Sequence, residues 1–186
     1  SMDIFGVCVL GVFTAVGGGM VRDMILGNVP SALLNPVYVA VAAGTALIVF
    51  FVLLLKKEHF HGKFRLAYDK LMLLMDSLGL GIFTVVGVLT GIKAGYPTNT
   101  FLLVFLGTLT GVGGGLLRDV MAGVPPYIFV KHIYALASIA GAYVFVLLYR
   151  NFGEIPALIV ASVLVVVIRL LAAHFHWNLP RLKIRA

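Results

Sequence analysis

GVFTAVGGGMVRDMILGNVP occupies residues 11–30, and GTLTGVGGGLLRDVMAGVPP occupies residues 107–126. Aligned at an offset of 96, the two stretches agree at ten of twenty positions. The shared residues are Gly11/Gly107, Thr14/Thr110, Val16/Val112, Gly17/Gly113, Gly18/Gly114, Gly19/Gly115, Arg22/Arg118, Asp23/Asp119, Gly27/Gly123 and Pro30/Pro126. Each copy reads as an apolar helix with three consecutive glycines, followed one turn later by an Arg-Asp pair.

The rest of the chain says what solvent surrounds this duplicated object. Of 186 residues, 61% are hydrophobic and 11% are charged, and the mean hydropathy is +1.10. A soluble domain is nearer 25% charged and 45–50% apolar, so this much apolar surface calls for lipid. The net charge of +7 does not point to nucleic acid, because the charges gather in loops between apolar segments. A lone cysteine, Cys8, excludes a disulfide framework and reads as a small buried hydrophobe.

Six apolar segments have roughly the length of a bilayer crossing: about 4–26, 37–55, 71–92, 100–122, 130–149 and 155–175. The expected class is an all-α membrane protein. Its division is a first repeat over 1–68, a second over 69–150, and a final helix with a basic tail over 151–186. Lys and Arg set the orientation. The loop between the second and third segments carries Lys56, Lys57, Lys63, Arg65 and Lys70, and the tail carries Arg181, Lys183 and Arg185; the opposite side offers Lys93 and Arg150. The basic side, with the C-terminus, is expected in the cytoplasm.

Three crossings separate the motif helices, so they run in opposite directions. This is the inverted repeat that many transport proteins place around a midplane pathway. Tyr38 extends the register by matching Tyr134. The third segment, 71–92, has no counterpart at the same offset, which leads to the expectation of an additional helix upstream of Ser1; the alternative is six helices without it.

Three adjacent glycines are poor helix formers, each roughly 1 kcal/mol worse than Ala. The expectation is a kink at Gly17, Gly18 and Gly19 and another at Gly113, Gly114 and Gly115, with freed carbonyls facing a polar cavity. Arg22 and Arg118 lie one turn further along the same face, where charge is rare in a membrane unless it meets water or the bundle interior. Asp23 and Asp119 point about 100° away round the helix, toward another helix or the other copy's Arg. The competing reading is packing: Gly107, Gly111 and Gly115, and likewise Gly87, Gly91 and Gly95, are spaced for close helix contact. Asp76 is either an acidic lining group or an interface residue. His59 and His61 suit a solvated loop better than a metal, Lys131 and His132 suit a snorkelling role, Arg169 is close enough to the tail to snorkel, and Phe101, Phe105, Phe145 and Tyr149 read as facing lipid or a partner.

The paired GGGxxRDxxxG motifs, with DSLGLGIFTVVG at Asp76–Gly87 ahead of the second, resemble the prokaryotic trimeric intracellular cation (TRIC) channel family, a domain also labelled a glycine transporter. The resemblance covers essentially the whole chain. It implies two inverted three-helix bundles plus a last helix, a homotrimer with one pore per protomer, conduction of monovalent cations such as K⁺ and Na⁺, and a bacterial or archaeal inner membrane. The motif residues map onto Gly17, Gly18, Gly19, Arg22 and Asp23, and onto Gly113, Gly114, Gly115, Arg118 and Asp119. Transport of a small zwitterion such as glycine, and a purely structural role, are the alternatives. No catalytic constellation, cofactor site or phosphate loop is evident, and an enzyme is not expected.

Overall fold

The computed structural model describes residues 2–55, 63–130 and 133–177. Within them the chain folds as helices α1 (Ile4–Ile25), α2 (Ser31–Leu34), α3 (Pro36–Leu55), α4 (Lys63–Lys93), α5 (Thr100–Met121), α6 (Tyr127–Val130), α7 (Tyr134–Phe152) and α8 (Glu154–His174). Among the described residues six are long and apolar enough to cross a membrane: α1, α3, α4 from Leu66, α5, α7 and α8. The chain is a multi-pass, all-α membrane protein. His59, His61, Lys131, His132 and the tail's Arg181, Lys183 and Arg185 lie outside the described residues.

The helix starts are set by local chemistry that repeats at the 96-residue offset. Asp3 Oδ1 accepts the Gly6 N–H at 2.7 Å, and Asn99 Oδ1 accepts the Leu102 N–H at 3.1 Å. These are N-caps on α1 and α5, satisfying donors that a helix's first turn leaves free. The helix ends repeat as well. Gly27 and Gly123 adopt φ of +73° and +67°, a left-handed conformation that costs glycine nothing. The N–H of Asn28 returns to the Asp23 carbonyl and that of Val124 to the Asp119 carbonyl, closing both helices as Schellman turns.

Two boundaries differ from the hydropathy reading. Helix α4 begins at Lys63 rather than near Leu71, because hydropathy marks only the stretch inside lipid, while 31 residues extend about 46 Å at 1.5 Å each. The fifth apolar segment divides into α6 and α7, just as the first repeat's Ser31–Leu34 turn precedes α3.

Neither glycine triplet interrupts its helix. Helical structure runs continuously through Gly17–Gly19 and Gly113–Gly115, so neither helix is divided in two there. The triplets instead let two backbones cross. A β-carbon on Gly18 would land on the Thr110 carbonyl oxygen, and one on Gly114 would land on the Thr14 carbonyl oxygen. One on Gly113 would stand 2.9 Å from the Gly18 α-carbon. The first two contacts are reciprocal, residue i on j and j on i, as a two-fold relation between antiparallel helices requires. Each helix keeps its own hydrogen bonds and gains close dispersion contact, the usual reward for small residues at membrane helix crossings.

The second half packs more deeply than the first. Val85, Val88, Leu103, Phe145, Val146 and Ala161 form a fully buried cluster where α4, α5, α7 and α8 meet. Phe145, expected to face lipid or a partner, is buried in this core; Phe101 remains largely exposed. Gly107 sits between Val88 of α4 and Ala142 of α7, whereas its counterpart Gly11 meets α3, nearest at Ala46, which is Ala142's own counterpart.

Replacing Gly114 with Ala should lower the thermal unfolding temperature of the detergent-solubilised protein by several degrees, an overpacking cost of about 1–3 kcal/mol or more because the obstacle is backbone. Gly44→Ala in α3, where nothing lies within 4 Å, should be neutral or slightly stabilising. Equal melting curves for the two variants would contradict the crossing.

Candidate ion pathway

The Arg-Asp pairs close locally. Arg22 donates through Nε and Nη2 to Asp23 Oδ1, at 2.8 and 2.7 Å. Arg118 donates through Nε to Asp119 Oδ1 at 2.8 Å. Of the two expected partners, the opposite copy's Arg is not reached, because the long Arg side chain folds sideways onto its immediate neighbour; contact with another helix is made, through the first residues of the short helices α2 and α6. What the carboxylates do reach is the chain that follows. Asp23 Oδ2 accepts the Ser31 N–H and hydroxyl at 2.8 and 3.0 Å, and Asp119 Oδ2 accepts the Tyr127 N–H at 2.7 Å. Each aspartate thus ties the end of a motif helix to the start of the next short helical turn. Ser31 and Tyr127 stand at the same 96-residue offset.

Both pairs are buried to different degrees. The Arg22 and Asp23 side chains are 7% and 6% exposed, whereas Arg118 is 38% exposed beside an 8% exposed Asp119. A pair taken out of water needs good geometry and satisfied lone pairs to offset desolvation. Asp23 has four hydrogen bonds and meets that demand more fully than Asp119 with two.

A cavity of about 170 Å³ opens against the crossing. Thr14, Gly18, Gly19 and Arg22 of α1 line it, with Ser31, Tyr38 of α3, Phe83 and Val86 of α4, and Thr110, Gly111 and Gly114 of α5. Of the six glycines of the two triplets, Gly18, Gly19 and Gly114 reach this cavity, and so does Gly111 of the close-packing series. Gly17 is packed against Leu117, Gly113 against Gly18, and Gly115 stands beside Arg118 and Tyr134. Arg22 reaches it; Asp23, Arg118, Asp119 and Asp76 do not line it.

Asp76 belongs to a second polar cluster. Its Oδ1 accepts the Tyr134 hydroxyl at 3.0 Å, and its Oδ2 accepts Arg169 Nη2 at 3.3 Å. Arg169 does not snorkel. It is 3% exposed, and its guanidinium carbon lies 4.6 Å from the Tyr134 ring centre and 5.8 Å from that of Tyr127. A desolvated guanidinium over an aromatic face gains a cation–π attraction. One member of this cluster stood out in the sequence, Tyr134, through its match with Tyr38; the link from α4 through α7 to α8 is long-range and left no local pattern.

Comparison with known proteins follows this architecture. The sequence model of the Glycine transporter family matches residues 1–53 and 73–150. The UPF0126 inner membrane protein YadS of Escherichia coli K12 is 37% identical over 96% of this chain and 83% of its own length. YvgT of Bacillus subtilis is 34% identical over 98% of this chain and 85% of its own. A solved structure from work on conductance through TRIC cation channels superposes with a TM-score of 0.83 at 32% identity, over all of this chain and 87% of that one. This chain belongs to the TRIC channel family. A prokaryotic TRIC channel crystallised in 0.5 M KCl gives a TM-score of 0.82 at 26% identity, over 96% of this chain and 86% of that one. The TRIC relatives are ion channels, not enzymes.

The difference between the halves is open to measurement. Asp23→Ala strands a buried guanidinium and should cost about 3–5 kcal/mol. Asp119→Ala leaves a guanidinium with access to water and should cost clearly less. Chemical unfolding of both variants in the same micelles checks the order, and equal losses would show that the burial asymmetry has no energetic weight.

Proposed function

We propose that this TRIC-family chain is a passive channel for monovalent cations, K⁺ and Na⁺, that assembles as a homotrimer with a pore in each protomer. The observation that carries the reading is the cavity at the crossing of α1 and α5, lined from both motif copies, in a chain superposing on cation channels. The trimer rests on the likeness to a trimeric intracellular cation channel orthologue from Rhodobacter sphaeroides, with a TM-score of 0.74 at 27% identity, over 94% of this chain and 96% of that one.

The chemistry suits a cation that sheds part of its water. The polar residues Thr14, Thr110 and Ser31 are among those lining the cavity, and each arginine is neutralised by the aspartate beside it. A neutralised guanidinium removes the long-range repulsion that a bare one would exert in a medium of low dielectric constant. Conduction then requires only sites weak enough to leave. The pathway residues are Gly18, Gly19, Gly114 and Arg22 at the cavity, with Gly17, Gly113, Gly115, Asp23, Arg118, Asp119 and Asp76 shaping the helices and charges around it.

The same reading assigns the repeats to residues 1–68 and 69–150, with the final helix and tail over 151–186. It sets the chain in a prokaryotic inner membrane, with the basic side and C-terminus in the cytoplasm. The Glycine transporter label of the matching family favours one rival, carriage of a zwitterion. That rival needs an arginine and a carboxylate free to take the two ends of the substrate, and here they bind each other.

In liposomes, the purified chain should pass K⁺ down its gradient without saturable uptake of labelled glycine. Gly19→Leu, whose β-carbon meets nothing closer than 3.6 Å, should fold and reduce K⁺ flux by filling the cavity. Asp23→Asn and Asp119→Asn should each lower flux by unmasking an arginine. Saturable glycine uptake with no ion current would overturn the channel reading.

A further inference from the structure

Three residues with aliphatic hydroxyls line the cavity: Thr14, Thr110 and Ser31. A hydroxyl carries one hydrogen and two lone pairs, and here each hydrogen is already taken. Thr14 Oγ1 donates to the Leu10 carbonyl and Thr110 Oγ1 to the Leu106 carbonyl, both at 2.6 Å. Ser31 Oγ donates to Asp23 Oδ2 at 3.0 Å. The backbone N–H groups of Thr14 and Thr110 lie inside α1 and α5, where helical bonding occupies them. These residues therefore hold lone pairs and no free hydrogen. Arg22 keeps spare hydrogens, but Asp23 cancels its charge. Lone pairs bind a cation and hydrogens bind an anion, so such a set of hydroxyls distinguishes the sign of an ion.

Back-bonding by threonine is common in membrane helices. Thr45 and Thr90 do it outside the cavity, toward the Val41 and Val86 carbonyls at 2.8 Å. There the bond only hides a hydroxyl hydrogen from lipid. Position sets Thr14 and Thr110 apart: they are the same residue of the two repeats, and they line one cavity from two helices. The reciprocal contacts at the crossing put Thr110 level with Gly18 and Thr14 level with Gly114. Thr14 and Gly18 are four residues apart, so the two threonines stand about 6 Å apart along the helix axes. Ser31 is tied to Asp23, five residues past Gly18, and adds a further level about 7–8 Å on. Such spacings exceed twice an ordinary cation–oxygen contact, so an ion meets these oxygens in succession.

We infer that Thr14, Thr110 and Ser31 are rungs of one ladder of hydroxyl oxygens, over which a partly dehydrated K⁺ or Na⁺ passes in steps. Each rung replaces part of the ion's water, and none has enough ligands to trap it, as conduction requires. The occupied hydrogens set the selectivity, because chloride finds no donor on the ladder. The inference rests on the conduction reading and names the atoms that recognise the ion.

Single-channel recordings of the full chain in planar bilayers, with KCl on both sides, test it. Thr14→Val keeps the shape of the side chain and removes the oxygen. It should lower K⁺ conductance roughly three- to tenfold, the scale of one contact to a charged group partly replaced by water. Thr14→Ser keeps the oxygen and should restore most of the conductance. Thr45→Val removes the same kind of bond outside the cavity and should change nothing. Thr110→Val should act like Thr14→Val. A β-carbon on Gly87 would stand 2.6 Å from Thr110 Oγ1, so this site is tightly packed, and Thr14 decides the matter if Thr110→Val does not fold. Full conductance in Thr14→Val, or Thr14→Ser as impaired as Thr14→Val, overturns the ladder and leaves the channel standing. An equal loss in Thr45→Val overturns it as well. No K⁺ current from the unaltered chain overturns both readings.

Discussion

The structure depends on two helix backbones meeting with nothing between them. At Gly18 and Gly114 the α-carbon of each helix faces a threonine carbonyl of the other, Thr110 and Thr14. In water, burial of apolar side chains would draw such helices together. In lipid the tails are as apolar as leucine, and helix association has to come from close packing, polar contacts and lipid entropy. Glycine is the residue that allows the closest approach. Its cost in helix propensity, roughly 1 kcal/mol each, falls where tertiary contact can repay it.

From that crossing the rest follows in order. Arg22 and Arg118 lie four residues beyond Gly18 and Gly114 on their own helices, so about 6 Å separates each charge from the crossing along the axis. Because the helices are antiparallel, the two charges lie toward opposite faces of the membrane. Each is neutralised by its neighbour, and each neighbour also anchors the returning chain through Ser31 or Tyr127. One aspartate thereby answers two demands that lipid makes: it cancels a charge, and it satisfies a backbone N–H at the start of a helical turn.

Much of this was legible in the sequence, and for identifiable reasons. The 96-residue offset carried the class, the inversion and the motif residues, because a membrane forces helices into alternating directions and makes an odd number of crossings an inversion. Helix ends were legible at Gly27 and Gly123, where positive φ needs glycine. What the triplets do beyond weakening a helix was not legible: three glycines in a row do not show what stands opposite, and here it is the other motif helix's backbone. The bond from each of Asp23 and Asp119 to its adjacent arginine was missed because a direction round the helix axis ignores the length of an arginine, which can fold back on an adjacent residue. Arg169 was placed at the surface by its nearness to the tail. Its ties to Asp76, Tyr127 and Tyr134 span elements distant in sequence, and no local signal announces them.

A duplicated half starts with identical chemistry at its two ends, and what distinguishes the ends is then decided by neighbours rather than by the motif. Ser31 supplies a hydroxyl that Tyr127 cannot, which tightens the first pair. Tyr134 is drawn inward by Asp76 while Tyr38 stays exposed. Helices α4 and α8 deliver Asp76 and Arg169 to the second pair, so a neutral pair of charges becomes a neutral group of four. Adding one carboxylate and one guanidinium leaves the net charge unchanged while giving the second half a polar cluster that the first half lacks among the described residues. Two repeated halves become unequal in this way, through the side chains packed around an otherwise shared core.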